Sequence, residues 1–160
     1  MTNTVRYVLD TNVLSSFHSA GWFEGLEIWS PDYELIVSEA VWSEFMEYAD
    51  RFVPDWLRIE VVDLGEIRTE RPGDLAPADW TCIGLGTRLD DSVIVTNDTG
   101  IRNVVERRNL RCEWGTLFLL RTFRRCGISK SQLDDGAAQY ISDLWLPDEV
   151  AQEIRSAEKS

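Results

Sequence analysis

Short runs of β-branched and aromatic residues alternate along this chain with stretches whose apolar residues recur at helical spacing. That alternation leaves few options, because strands separated by helices form a parallel sheet with helices laid against it. The apolar runs are residues 5–9 (VRYVL), 34–37 (ELIV), 58–64 (RIEVVDL), 92–96 (SVIVT) and 110–114. Between the first two, Val13, Leu14 and Phe17 mark a helix over 12–20 that stops at Gly21. After the second, Ser38 reads as an N-cap, followed by the apolar stripe Val41, Trp42, Phe45, Met46 and Ala49. A polar connection with Pro72, Gly73 and Pro77 leads into a helix over about 79–89, and Asp90-Asp91 makes a turn. Helices over 100–108 and 116–125, the latter stopping at Gly127, flank the fifth run. Two more, over 130–144 and 147–157, close the chain, with Pro147 in a first turn. The expectation is one α/β domain over residues 1–160, with a central parallel sheet of about five strands and a C-terminal helical extension from about residue 128.

Composition narrows the function. No stretch nears the roughly 20 apolar residues of a membrane span, the first residues do not read as a signal peptide, and a cytoplasmic setting is expected. Cys82, Cys112 and Cys126 are widely spaced and His18 is the sole histidine, which argues against a zinc site of Cys and His and for a reduced chain. Sixteen basic against 28 acidic residues give a net charge of −12. Arginine supplies nearly all the cations, with Lys130 and Lys159 as the only lysines. Such a surface suits a salt-rich interior and predicts stability in KCl. Residues 99–130 run against this trend, with eight basic and two acidic residues, and read either as an anion-binding zone or as solvated helix faces.

In parallel sheets ligands bind beyond the carboxyl ends of strands, where strand order reverses. The first strand runs into Asp10-Thr11-Asn12 and the fourth into Asn97-Asp98. If these strands are neighbours, two carboxylates meet and repel, and a hard divalent cation with oxygen ligands relieves the conflict. Either Asp could instead be a helix cap. Glu44 and Asp79 sit on helices able to lean over the same edge; Glu44 could be a solvated helix acid and Asp79 a partner for a helix dipole.

These residues resemble a known family. VLDTNVL (8–14) is similar to the opening motif of PIN-domain nucleases, and IVTND (94–98) to their late motif. VWSEF (41–45) matches the family pattern that identifies Glu44, and ADWTCIGLG (78–86) the one that identifies Asp79. The resemblance covers about residues 5–127 in the right order, and WGTLFLL (114–120) through Gly127-Ile128 resembles a subgroup with a C-terminal helical extension. Asp74 is a rival to Asp79, and Glu39 to Glu44, although five residues along a helix place Glu39 and Glu44 on different faces.

The resemblance implies a three-layer PIN-like fold and a metal-dependent ribonuclease using Mg²⁺ or Mn²⁺. Asp10 and Asp98 would be direct or water-mediated ligands, and Glu44 and Asp79 would complete the catalytic acid pocket. Asn12 and Thr96, and more weakly Asn97, would orient ligands or substrate by hydrogen bonds. Arg102 and Arg107, in the basic segment that starts after Asp98, are the expected RNA contacts. His18 is read as non-catalytic. A toxin of the VapC type, cleaving RNA and restrained by an antitoxin protein, is the leading reading. Its alternatives are a housekeeping RNA-processing nuclease and an inactive PIN-like module that binds RNA or protein. A receiver-like phosphotransfer domain is disfavoured because no lysine follows a strand. The resemblance also implies that a homodimer is possible, and Trp22, Trp29, Trp42 and Trp145 read either as interface aromatics or as core residues.

Overall fold

The computed structural model describes residues 4–63 and 75–157. It contains five strands: β1 (Arg6–Leu9), β2 (Glu34–Ser38), β3 (Leu57–Glu60), β4 (Ser92–Thr96) and β5 (Cys112–Trp114). All pair in parallel, in the order β3-β2-β1-β4-β5. The chain steps outward from β1 through β2 to β3, then returns to the other side of β1 with β4. The order therefore reverses between β1 and β4, which are paired with Leu9 opposite Val95. β2 and β4 are buried along nearly their whole length, which is why they read as unbroken apolar runs.

The helices are α1 (Thr11–Ser19), α2 (Glu39–Met46), α3 (Pro77–Arg88), α4 (Thr99–Arg107), α5 (Gly115–Arg124), α6 (Lys130–Leu144) and α7 (Asp148–Ser156). α3 lies on β1, β2 and β4 and against α2 and α4; α1 packs with α2, α6 and the 3₁₀ segment Phe23–Trp29, which also meets α5. These groups flank the sheet as the alternation predicts. Local chemistry sets the helix starts. Ser38 accepts the Val41 N–H at 3.0 Å, and Ser129 and Gln132 close a reciprocal capping box at α6. Gly21, at φ +82°, ends the first helical unit as its position suggests.

Several expectations need correction. The third strand stops at Glu60, because Val61 to Asp63 leave the sheet; residue 64 and the connection with Pro72 and Gly73 lie outside the described residues. Pro147 is the cap before α7 rather than a residue of its first turn. After α5 the left-handed residue is Cys126, at φ +67°, and not Gly127. The 3₁₀ segment was not legible, since its Phe23, Leu26 and Trp29 follow no long period.

Trp22 and Trp29 are fully buried, so neither serves as an interface aromatic. Trp29 stacks on Phe118 at 4.7 Å and donates its indole N–H to Thr122 Oγ1 at 3.0 Å, which locks α5 to the 3₁₀ segment. Trp22 donates to the Gln132 carbonyl at 2.7 Å and packs on Tyr140, which draws α6 onto α1. Gly136 makes that approach possible, since a Cβ there would lie 2.3 Å from the Ala20 carbonyl oxygen. Among the described residues no helix is long and apolar enough to cross a membrane.

Candidate active site

Asp10 is the first residue after β1 and is 1% exposed. Its Oδ1 accepts the Val13 N–H at 2.8 Å, capping α1, and its Oδ2 accepts the Thr96 hydroxyl. Thr96 Oγ1 in turn accepts the Asp98 N–H at 3.0 Å. Because that oxygen already receives a proton from the backbone, its own proton is directed at Asp10. Asp98, half-buried, caps α4 through Ile101 N–H at 3.1 Å. One threonine hydroxyl thus couples the acids that end the two strands at the reversal point. Both act as helix caps, so the structure fulfils the capping reading without excluding the ligand reading.

Asp79 and Glu44 approach from α3 and α2. Ser38 Oγ and Thr81 Oγ1 are 2.6 Å apart, and the Thr81 hydroxyl donates to the Ala78 carbonyl at 2.5 Å. This buried hydroxyl chain ties the start of α2 to α3. Burial, then the charges of Asp98 and Glu44, raise the Asp79 carboxyl above its usual range. Burial likewise pushes Asp10 up to about 7, against the Thr96 and Val13 hydrogen bonds and helped by Asp79 and Asp98. All four acids therefore act on one electrostatic neighbourhood. Glu39 is exposed in the first turn of α2 and stands apart, whereas Glu44 is half-buried and lines a hollow. Asp74 lies outside the described residues.

Two hollows flank Asn12. One, about 420 Å³, is lined by Thr11, Asn12, His18, Glu44 and Tyr48. The other, about 740 Å³, is lined by Asn12, Asp98, Trp114, Leu117, Trp145 and Glu153, among others. Asn12, Asp143 and Leu144 border both. Asn97 also lines the larger hollow, with its polar atoms engaged by the helices behind it: its Oδ1 accepts the Thr116 N–H at 3.1 Å, and its amide reaches Tyr140 Oη at 3.4 Å. It anchors α5 and α6 to the end of β4.

The arginines separate. The Arg102 guanidinium lies 4.2 Å from the Trp114 ring centroid and pairs with Glu106 at 3.0 Å, one turn into α4. Arg107 is exposed at the opposite end of α4 from Asp98, roughly 12 Å along the axis. The basic run forms no single face. Arg108 stacks over Trp80 of α3, while Arg121 and Arg125 stack over Trp29 in the other helical group. His18 Nδ1 accepts the Arg51 Nε–H at 2.9 Å, and burial and Arg51 both lower its pKa, so the ring is neutral at pH 7.

Three features escaped the sequence reading. Thr11 Oγ1 is buried without a partner beside Asp10. Tyr140 and Asp143 bring the C-terminal extension to the site. Their only signal was their place on a helix whose packing partner the sequence does not name.

The donor set is entirely oxygen, as a hard cation prefers, and the upward displacement of Asp10 and Asp79 is the strain that such a cation relieves. Among the described residues no three Asp, Glu, His or Cys side chains are gathered so as to hold a metal ion by themselves. A cation that keeps several waters and takes one or two carboxylates suits this looser set.

A family model described as PIN domain matches residues 6–157. The chain belongs to the PIN-domain family, a nuclease-type family whose members generally use divalent metal ions. No curated protein and no solved structure gives a match.

Proposed function

We propose that this chain is a Mg²⁺- or Mn²⁺-dependent endoribonuclease. The observation that carries the reading is the coupled pair Asp10 and Asp98, joined by Thr96 at the strand-order reversal with Asp79 and Glu44 beside them. A divalent cation, when bound, supplies an activated water and neutralises charge on the phosphate. Asp10 and Asp98 would hold it, directly or through water, and Asp79 and Glu44 would complete the acid pocket. Thr96 holds Asp10 Oδ2 and the Asp98 backbone in fixed relation, so the two acids present together. Asn12, exposed at the border of both hollows, would orient substrate. Arg102, held by Trp114 and Glu106, is the basic group proposed to meet a phosphate.

The biological role proposed with this activity is that of a toxin restrained by an antitoxin protein. The order of the four motifs supports it. An antitoxin that silences the purified nuclease would bear this out, and an undiminished rate with the product of the neighbouring gene would favour RNA processing instead. The activity itself is tested with labelled single-stranded RNA and Mg²⁺ or Mn²⁺. Asp10→Asn and Asp98→Asn should each lower the rate by roughly 100-fold or more, the scale of removing a charged stabiliser. Metal-independent cutting, or full activity in both variants, would refute the reading.

A further inference from the structure

The hollow on the Asp98 side has a lining unsuited to phosphate. Beyond Asp98, its charged groups, Asp143 and Glu153, are acceptors, and among the described residues no Lys or Arg lines it. Its apolar wall comes from Leu117, Leu144, Leu146 and Val150, with Trp114 and Trp145 as flat surfaces. Trp145 is 91% exposed, although most large apolar side chains here are buried. Its backbone is left-handed, at φ +51°, where α6 ends. Glycine normally occupies that position, and a bulky residue there carries strain. A strained, exposed indole beside a nuclease-type acid cluster calls for a ligand with an apolar face.

We propose that this groove is a nucleobase subsite. One base of a single-stranded RNA, next to the phosphate held at the acids, stacks on Trp145. Asp143 and Glu153 accept N–H groups from its edge. Every base has a π-face, so stacking supplies affinity. Acceptor-only carboxylates select bases that present adjacent N–H donors, guanine first, since its N1–H and N2 amine can meet one carboxylate together. One Asp143 oxygen is already braced by Gln139 Nε2 at 2.7 Å, which fixes the carboxylate at the groove's edge. The inference rests on the ribonuclease reading for its substrate, and its test is separable from that reading.

The probes are a fluorescein-labelled 12-nucleotide single-stranded RNA containing guanines and the same strand with abasic residues in place of the guanosines. Binding is followed by anisotropy in EDTA, where metal-dependent cleavage is silent, for wild type, Trp145→Ala and Trp145→Phe. Circular dichroism verifies that each variant is folded. Wild type should prefer the base-bearing strand. Trp145→Ala should lose about tenfold in affinity for it and nothing for the abasic strand, and Trp145→Phe should keep most of the affinity. With Mg²⁺ added, Trp145→Ala should raise KM and blur the mapped cut sites. If wild type shows the base preference but never cuts, the subsite stands and the nuclease reading falls. If wild type cuts while Trp145→Ala matches it in affinity, KM and cut sites, the nuclease reading stands and the subsite falls. Equal binding of base-bearing and abasic strands, or no binding at all, also overturns the subsite.

Discussion

Asp10 has two structural tasks that conflict with its charge. It caps α1 and receives the Thr96 hydroxyl, yet it is fully buried among acids, and its pKa stands at about 7. An unfolded aspartate titrates near 3.8, so between the two values the native state holds a proton that the unfolded chain has released. Stability from this group is therefore greatest below the unfolded pKa and falls as pH rises through about 7. The displacement corresponds to about 4 kcal/mol as an upper scale. In EDTA at about pH 8, Asp10→Asn should raise the melting temperature, since Asn keeps the cap and loses the charge. A lower melting temperature would mean that the charged form is the one the fold favours. Thr96→Val removes the donor to Asp10 and the acceptor for the Asp98 N–H. It should cost about 1–3 kcal/mol at about pH 8, and less at about pH 5 where Asp10 is protonated. A cost independent of pH, measured by urea unfolding, would show that the hydroxyl serves packing alone.

At the scale of elements, the site depends on how the C-terminal helices are seated. α6 reaches α1 through Gly136, and Asp143, Leu144 and Trp145 at its end form the border of the hollows. In Gly136→Ala the new Cβ would fall 2.3 Å from Ala20 oxygen and 2.7 Å from the Trp22 ring. The helices must part, at a cost of about 1–3 kcal/mol. Melting should fall by several degrees and RNA binding should weaken along with it. An unchanged melting curve would show that the packing yields without strain. The elements also bound what was legible. The helix following each strand could be read from its apolar spacing and its cap, as at Ser38 with Val41. The 3₁₀ segment Phe23–Trp29 could not, because its aromatic residues answer to Phe118 and Phe45, partners distant in sequence.

Across the whole molecule, a net charge of −12 opposes compaction. The expected response to KCl is a rise in melting temperature between about 0.1 and 1 M, as the Debye length shrinks from roughly 10 to 3 Å. Unfolding by molar KCl would overturn the proposal of salt adaptation. Local pairs such as Arg6–Glu34, at 3.2 Å, are partly exposed and weaken with salt, so the rise measures the net repulsion against them. The arginine-rich run shows how a one-dimensional charge count misleads. Arg108 and Arg121 lie in the same basic segment, yet they stack on aromatics from different helical groups. Helical rotation and the return of the chain across the sheet divide what the sequence lists together.

The sequence by itself determined the parallel α/β order and the positions of Asp10 and Asp98 at strand ends. Both follow from local rules: side-chain period, helix capping, and the way a crossover delivers each strand in the same direction. Only the tertiary structure decided that Asp10 is buried, that Thr96 joins it to Asp98, and that the end of α6 walls one side of the site. Those outcomes depend on contacts such as Trp22 with Gln132 and Gly136 with Ala20, between residues more than a hundred positions apart. Their energy comes from mutual fit in a closed core, and no local pattern in a chain specifies which distant surfaces will fit.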